Sequence, residues 1–424
     1  MSYGGAVWLA VQEDLYRGVS SGSGRKSTSS SSSSSSSTST SSSTSTTTSS
    51  SSSTNPRSSN TVKRISEESR NCLGGLDDYF LSQGFHFSRP CLTFLIDYIK
   101  SRMRKDVFRP VNDTPSIEAM TLATLYFYAH GFLPRKITDM LGLEQTAACE
   151  AVNTISKVLA DMSQSFITFP GSYNDRMGVA QGFKNISGIP NVVGVLGYLH
   201  VKVTPPPTKE SLYLNAVGYH SVMVQIISDV DGNLLSVEQC CPGGTLEKAV
   251  WERSNICKEF SSFQHGQTWL VGGKGLPQSR HMLTPVHRAQ IKTSAARRFN
   301  AAHSEVLSST QHIFGCLKTR FQCLRDLGAV QANRLEPVAR IVTACCVLHN
   351  ISKKFSVPLP REPVLEPLHP VQEVRKDGEE NSLCCMEETQ EDMIEMCFGN
   401  AGDEEEQAKK KDVEDMPKQN KAHS

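Results

Sequence analysis

The sequence lacks the features that direct a protein into a membrane or the secretory pathway. No stretch approaches the roughly 20 apolar residues that a membrane span requires. The opening MSYGGAVWLAVQEDLYRG contains no basic segment that leads into an apolar run. The 13 cysteines include no C-x-x-C pair, so a structural zinc site of the usual spacing is not predicted. Their odd number and scattered spacing indicate reduced thiols in the nucleus or cytosol.

A formal net charge of +1 hides an uneven distribution of charge along the chain. Residues 371–424 contain 16 acidic and 7 basic residues, a net of −9, which leaves +10 on the rest. A basic body with an acidic tail suits a polyanion-binding surface beside a segment that screens it or competes with it. The alternative is that residues 361–424 form an acidic disordered tail that is simply solvated.

The N-terminal part is dominated by a low-complexity tract. Residues 27–54 are all Ser or Thr, and such a segment buries too little apolar surface to offset its ordering entropy. We therefore predict that residues 1–71 form a disordered Ser/Thr-rich tail.

Helical periodicity dominates residues 72–170. Helices are predicted to begin at Ser88-Arg89-Pro90 and at Thr114-Pro115, with apolar residues on one face of each. The segments 134–141 and 144–162 flank Gly142, which is typical of a helix-turn-helix. Residues 166–190 are predicted to be a connector rich in glycine and turn residues.

The segment 191–358 alternates between strand and helix signals. The stretch NVVGVLGYLHVKV at 191–203 predicts a buried strand that breaks at Gly197 and resumes at His200. A hairpin is predicted over 221–229 and 234–239, and a further strand over 268–272. Long helices are predicted over 297–317 and 338–355. These elements indicate an α/β domain after the helical bundle.

Several short blocks occur in one order between Tyr79 and Pro358. They are NAVGYHS at 215–221, DVDG at 229–232, PGG at 242–244, NAAHS at 300–304 and ACCVLHNI at 344–351. With the strand at 191–203, they resemble the PIF/Harbinger transposases and the nucleases derived from them. The resemblance implies a helix-turn-helix-like bundle over 72–170 and an RNase H-like DDE transposase-derived domain over 191–358.

The resemblance also locates three carboxylates that bind metal in the family. The first precedes His200 by three residues, the second follows the strand at 268–272, and the third lies eight residues after His303. This chain has Gly197, Gly273 and Gln311 there. Two-metal phosphoryl chemistry needs oxygen ligands, chiefly carboxylates, for Mg²⁺. We therefore predict a catalytically inactive protein that binds no metal and needs no cofactor.

Other carboxylates offer an alternative. Asp229, Glu238 and Glu247 could stand in as ligands for Mg²⁺ or Mn²⁺, which would make the chain a metal-dependent DNA endonuclease of the hydrolase class. Their ordinary roles would be turn formation and negative charge at helix N-termini. A third alternative is a decayed copy with no selected function.

Basic residues suggest contact with nucleic acid phosphate, although the same residues could form ordinary solvated helix surfaces. The predicted contacts are Arg135, Lys136, Lys292, Arg297, Arg298, Lys318 and Arg320. The second helix of the helix-turn-helix offers Gln145, Asn153 and Lys157 for reading bases, but it could instead serve packing or dimerisation. The resemblance implies a separate Myb/SANT-like partner and action in the nucleus. A further location in the cytoplasm and a homodimer are left open.

Overall fold

The computed structural model describes residues 72–103, 115–262, 264–328, 335–365 and 390–399. These residues belong to one compact unit that begins at Asn71. The predicted disorder of 1–71 lies outside them. In this described part of the chain, no helix combines the length and the apolar character that a membrane crossing requires.

The N-terminal region is helical, as predicted. Asp77 caps the first helix by accepting from the Phe80 N–H, and Ser116, not Thr114, caps the third by accepting from the Ala119 N–H. A left-handed Gly131, with φ of 81°, ends that third helix. The helices are α1 Asp78–Phe85, α2 Arg89–Met103, α3 Ile117–His130, α4 Arg135–Met140, α5 Gln145–Asp161 and α6 Ser163–Phe166.

The predicted connector over 166–190 is wrong for most of its length, because it contains the helix α7, Tyr173–Ser187. Ser172 accepts from the Asp175 N–H, and the Asp175 carboxylate accepts from the Ser172 N–H. This capping box stabilises the first turn, and Gly188 in the left-handed conformation ends the helix.

A five-stranded mixed sheet forms the centre of the second region. Its order is β3-β2-β1-β4-β5. The strand β1 pairs antiparallel with β2 and parallel with β4, while β2–β3 are antiparallel and β4–β5 are parallel. The strands are β1 Val192–Lys202, β2 Ser221–Ser228, β3 Leu234–Pro242, β4 Trp269–Val271 and β5 Met282–Leu283. The predicted α/β class with an N-terminal helical region is confirmed at this level.

The central strand does not break at Gly197, contrary to the sequence prediction. Residues 195–202 pair without interruption with β2, and Gly197 lies opposite Ile226. The ladder hydrogen bonds on that side hold the glycine in extended conformation, so the absence of a side chain changes packing and not the path of the strand.

Helices cover both faces of the sheet. They are α8 Glu210–Tyr213, α9 Glu247–Arg253, α10 Asn255–Ser261, α11 Ser294–Arg320 and α12 Leu335–Lys354. One core cluster contains Leu196, Tyr198, Trp251 and Phe260. A second cluster contains Val195, Phe299 and Val306, so α9–α10 and α11 lie on opposite faces.

The predicted disordered tail 361–424 is wrong for residues 390–398, which form a further helix, here called the tail helix. Its Met393 and Ile394 are only 6% and 5% exposed and belong to the core cluster that contains Phe299. Burial of these apolar side chains orders a segment whose acidic composition alone would favour disorder.

Candidate functional site

The first predicted carboxylate position lies in the middle of β1 and faces α11. A Cβ atom built on Gly197 would lie 2.9 Å from Cζ of Phe314 and 3.1 Å from Cγ2 of Thr310. Contacts under 3.0 Å require a neighbour to move. Phe314 and Thr310 are themselves 8% and 3% exposed. The side chains of α11 therefore occupy the space that an aspartate at this position would need.

The second predicted position has different surroundings. Gly273 follows the C-terminal end of β4 and is partly exposed. No heavy atom lies within 4 Å of a Cβ built there. A side chain would fit at this position, so only the oxygen ligand is missing.

The third predicted position, Gln311, lies on α11 between Thr310 and Phe314 and is half-buried. The helix turn that carries it is therefore the turn that fills the space beside Gly197. Two glycines supply no side-chain oxygen, and a glutamine supplies a neutral carbonyl, so these residues do not fit a divalent metal. Across the residues that the structure describes, no group of three or more His, Cys, Asp or Glu side chains could hold a metal ion.

The substitute carboxylates occupy separate structural positions. Both oxygens of Asp229 accept hydrogen bonds from Asn233, one from its N–H and one from its Nδ2, each at 2.7 Å. Glu238 accepts from the Asn255 N–H at 2.7 Å, at the start of α10. These are the turn and helix N-terminus roles that carboxylates commonly have.

The third substitute, Glu247, lies on the other face of the sheet. The Tyr198 hydroxyl donates to the Glu247 carbonyl oxygen at 3.1 Å, and Tyr198 points away from the Gly197 face because side chains alternate along a strand. Burial raises the pKa of the Glu247 carboxyl to about 7. A carboxyl that is only about half ionised at neutral pH is a weaker ligand for a divalent ion than a fully ionised one.

Two of the predicted nucleic-acid contacts are buried, and those predictions are wrong. Arg320 is 2% exposed and Lys318 is 6% exposed. The Arg320 guanidinium donates to the carbonyl oxygens of His86, Val357 and Pro358. Burial lowers its pKa to about 10, so it stays charged at pH 7. Arg320 therefore holds α11 against the helical region and cannot reach a phosphate.

The other predicted contacts lie at the surface. Arg135, Lys136, Lys292 and Arg297 are exposed. Arg298 is half-buried and donates to the carbonyl oxygen of Phe398, at the end of the tail helix. This contact could not be predicted from the sequence, because its two partners lie 100 residues apart.

The two segments of the predicted helix-turn-helix are the helices α4 and α5, and Gly142 between them has φ of 66°. Gln145, Asn153 and Lys157 are exposed on α5. The Gln145 side chain also donates to the Leu133 carbonyl oxygen at 3.3 Å, so part of its hydrogen-bonding capacity is used within the turn.

Comparisons with known proteins agree with this architecture. Residues 197–350 match the family model described as DDE superfamily endonuclease. The chain is 30% identical over 297 residues to "Putative nuclease HARBI1" of Bos taurus, which covers 70% of this chain and 84% of that protein. It is 24% identical over 307 residues to "Protein ALP1-like" of Arabidopsis thaliana, covering 67% and 73%. No solved structure matches the chain significantly.

Proposed function

Because the chain belongs to the Harbinger transposase-derived proteins with a DDE superfamily endonuclease domain, we propose that it is a catalytically inactive member that acts as a binding scaffold. The observation that carries this proposal is the packing of Phe314 and Thr310 against Gly197. A lost ligand can be replaced by another nearby group, but an acidic side chain at 197 would also require Phe314 or Thr310 to move.

The alternative of a nuclease that uses substitute carboxylates has less support. Asp229 and Glu238 are engaged in hydrogen bonds that stabilise a turn and a helix start. Glu247 lies on the face opposite Gly197. No feature of these residues favours a shared metal.

The scaffold would use an RNase H-like domain, and the sheet with three antiparallel strands followed by two parallel strands supports this assignment. Its DNA-facing surface would include Arg135, Lys136, Lys292 and Arg297, which are exposed. We expect nuclear action with a Myb/SANT-like partner, on the basis of family resemblance. A homodimer is compatible with the same role.

The test of inactivity is plasmid nicking by the purified full-length chain in Mg²⁺ and in Mn²⁺, with calorimetric titration of each metal alongside. We expect no nicking above buffer and no saturable binding, because the three positions offer no charged oxygen. Saturable binding with nicking that is lost in Glu247→Gln would contradict the proposal and favour the alternative. A Gly197→Asp/Gly273→Asp/Gln311→Glu variant should also stay inactive while Phe314 fills the site.

The DNA-binding part of the proposal is tested by fluorescence anisotropy with a labelled duplex. We expect binding that weakens as salt increases, since phosphate contacts release counterions. Replacing Lys292 and Arg297 with Ala should reduce the slope of log K against log salt by roughly 2. The matched control is Lys209→Ala/Lys258→Ala, which removes equal charge outside the predicted surface. Equal slopes for the two variants would show that Lys292 and Arg297 do not contact DNA phosphates in preference to other lysines.

A further inference from the structure

The tail helix is seated in a groove formed by α7, the segment after β5 and the beginning of α11. Met393 and Ile394 pack in the core cluster with Phe183 and Phe299. The rings of Phe398 and Phe299 meet edge to face, with centroids 6.1 Å apart. These contacts give the tail helix a buried apolar side.

Polar contacts hold both ends of the tail helix. Near its start, the Gln390 side chain donates to the Thr284 carbonyl oxygen at 2.9 Å. At its end, Arg298 donates to the Phe398 carbonyl oxygen at 3.1 Å and to the Gly399 carbonyl oxygen at 3.5 Å. The last carbonyls of a helix lack partners within the helix and carry partial negative charge. Arg298 therefore caps the C-terminal end of the tail helix.

The outward side of the tail helix carries three acidic residues and one apolar residue, Met396, which is 74% exposed. Glu391, Asp392 and Glu395 are exposed, and no basic residue occurs within 390–399. Arg297, beside Arg298 on α11, is also exposed. The groove therefore combines an apolar floor with an arginine, Arg298, that meets the last carbonyls of the helix, and these features complement an amphipathic helix.

The length of chain before the tail helix does not by itself require the tail helix to lie in the groove. Residues 366–389 separate the tail helix from the preceding described segment, and 24 residues can span up to roughly 80 Å. A helix of nine residues is marginal in isolation, so its helical form depends on the groove. The tail helix behaves structurally like a short peptide ligand supplied at high effective concentration.

We propose that this groove is a recognition site for short amphipathic helices, and that the tail helix occupies it until a partner protein's helix displaces it. The partner's helix would carry two adjacent apolar residues and an aromatic residue about one turn later, as the tail helix does at Met393, Ile394 and Phe398. The proposal concerns a protein partner and holds whether or not the chain also contacts DNA.

The first test uses the full-length chain with Met393→Asp/Ile394→Asp, which removes the apolar side of the tail helix and leaves the groove residues intact. The probe is a fluorescent peptide of residues 387–401. We expect the variant to bind it at least ten-fold more tightly than the wild type, because the wild-type groove is occupied in cis. Adding Arg298→Ala should weaken peptide binding about ten-fold by removing the cap. A peptide with Asp at 393 and 394 is the matched control.

A second measurement uses the wild type alone and does not depend on whether Met393→Asp/Ile394→Asp folds. Amide hydrogen exchange of the wild type should be at least 100-fold less protected over 390–398 than over 299–306, since an exchangeable ligand opens without unfolding the core. Equal protection would overturn the proposal, as would a folded variant that does not bind the peptide. Concentration-dependent dimers that exchange their tails would overturn the assignment to a partner protein and make a second copy the occupant.

Discussion

The two faces of the sheet differ at adjacent residues of β1. On one face, Gly197 lies against Phe314 and Thr310, and an acidic side chain there would require one of these neighbours to move. On the other face, Tyr198 donates to the backbone of Glu247, whose carboxyl is retained with a raised pKa. The face of β1 that contains the predicted ligand position therefore carries no carboxylate at 197, while the substitute Glu247 lies on the opposite face.

The two glycines at predicted ligand positions differ in the space around them. At Gly273 the space around the backbone is open, so an added side chain would fit. At Gly197 an added side chain would meet Phe314 and Thr310. A carboxylate could therefore be added at 273 without other change, whereas at 197 it would require its neighbours to repack.

The largest expected change in stability follows from adding a side chain at Gly197, on the face of β1 that packs against α11. Gly197→Asp should lower the free energy of unfolding by about 3 kcal/mol or more, because overpacking a core costs roughly 1–3 kcal/mol and an unpaired carboxylate adds a burial penalty. The matched substitution Gly273→Asp should change it by less than about 0.5 kcal/mol. Urea denaturation of the two variants and the wild type measures the difference.

A control shows whether Phe314 is the cause. Combining Gly197→Asp with Phe314→Leu should cost less than the sum of the two single changes, because the smaller side chain leaves room for the new one. Strict additivity, or equal destabilisation by the aspartates at 197 and 273, would show that the position is not sterically closed.

Much of the fold could be predicted from local patterns. The helices α2 and α12 carry apolar residues at helical spacing, and the β2–β3 hairpin has a turn at Asp231-Gly232 between two apolar runs. The helix α7 was missed although Ser172 and Asp175 have the spacing of a capping box. The spacing of these two residues predicts a helix start, but the glycines in the same segment favoured a connector.

Other features could not be predicted because they depend on residues far apart in the sequence. Arg320 resembles any basic helix residue, and its burial depends on carbonyl groups at His86, Val357 and Pro358. The tail helix has an acidic composition that favours disorder, and only its groove orders it. The replacement of the acidic residues was visible in the sequence, whereas the closure of the space by Phe314 required the structure.

A smaller effect is expected on the opposite face. The Glu247 carboxyl has a pKa of about 7 in the folded chain, against about 4.3 for an unfolded glutamate. Between these values the folded state binds the proton more tightly, so this contribution to stability is fully present below about pH 4.3 and is lost as the pH rises through 7. Relative to Glu247→Gln, the wild type should lose about 2–3 kcal/mol between pH 5 and pH 8, as measured by urea denaturation at each pH. Parallel pH profiles for the two proteins would mean that the carboxyl is solvated. It would then be ionised at neutral pH and available to bind a metal.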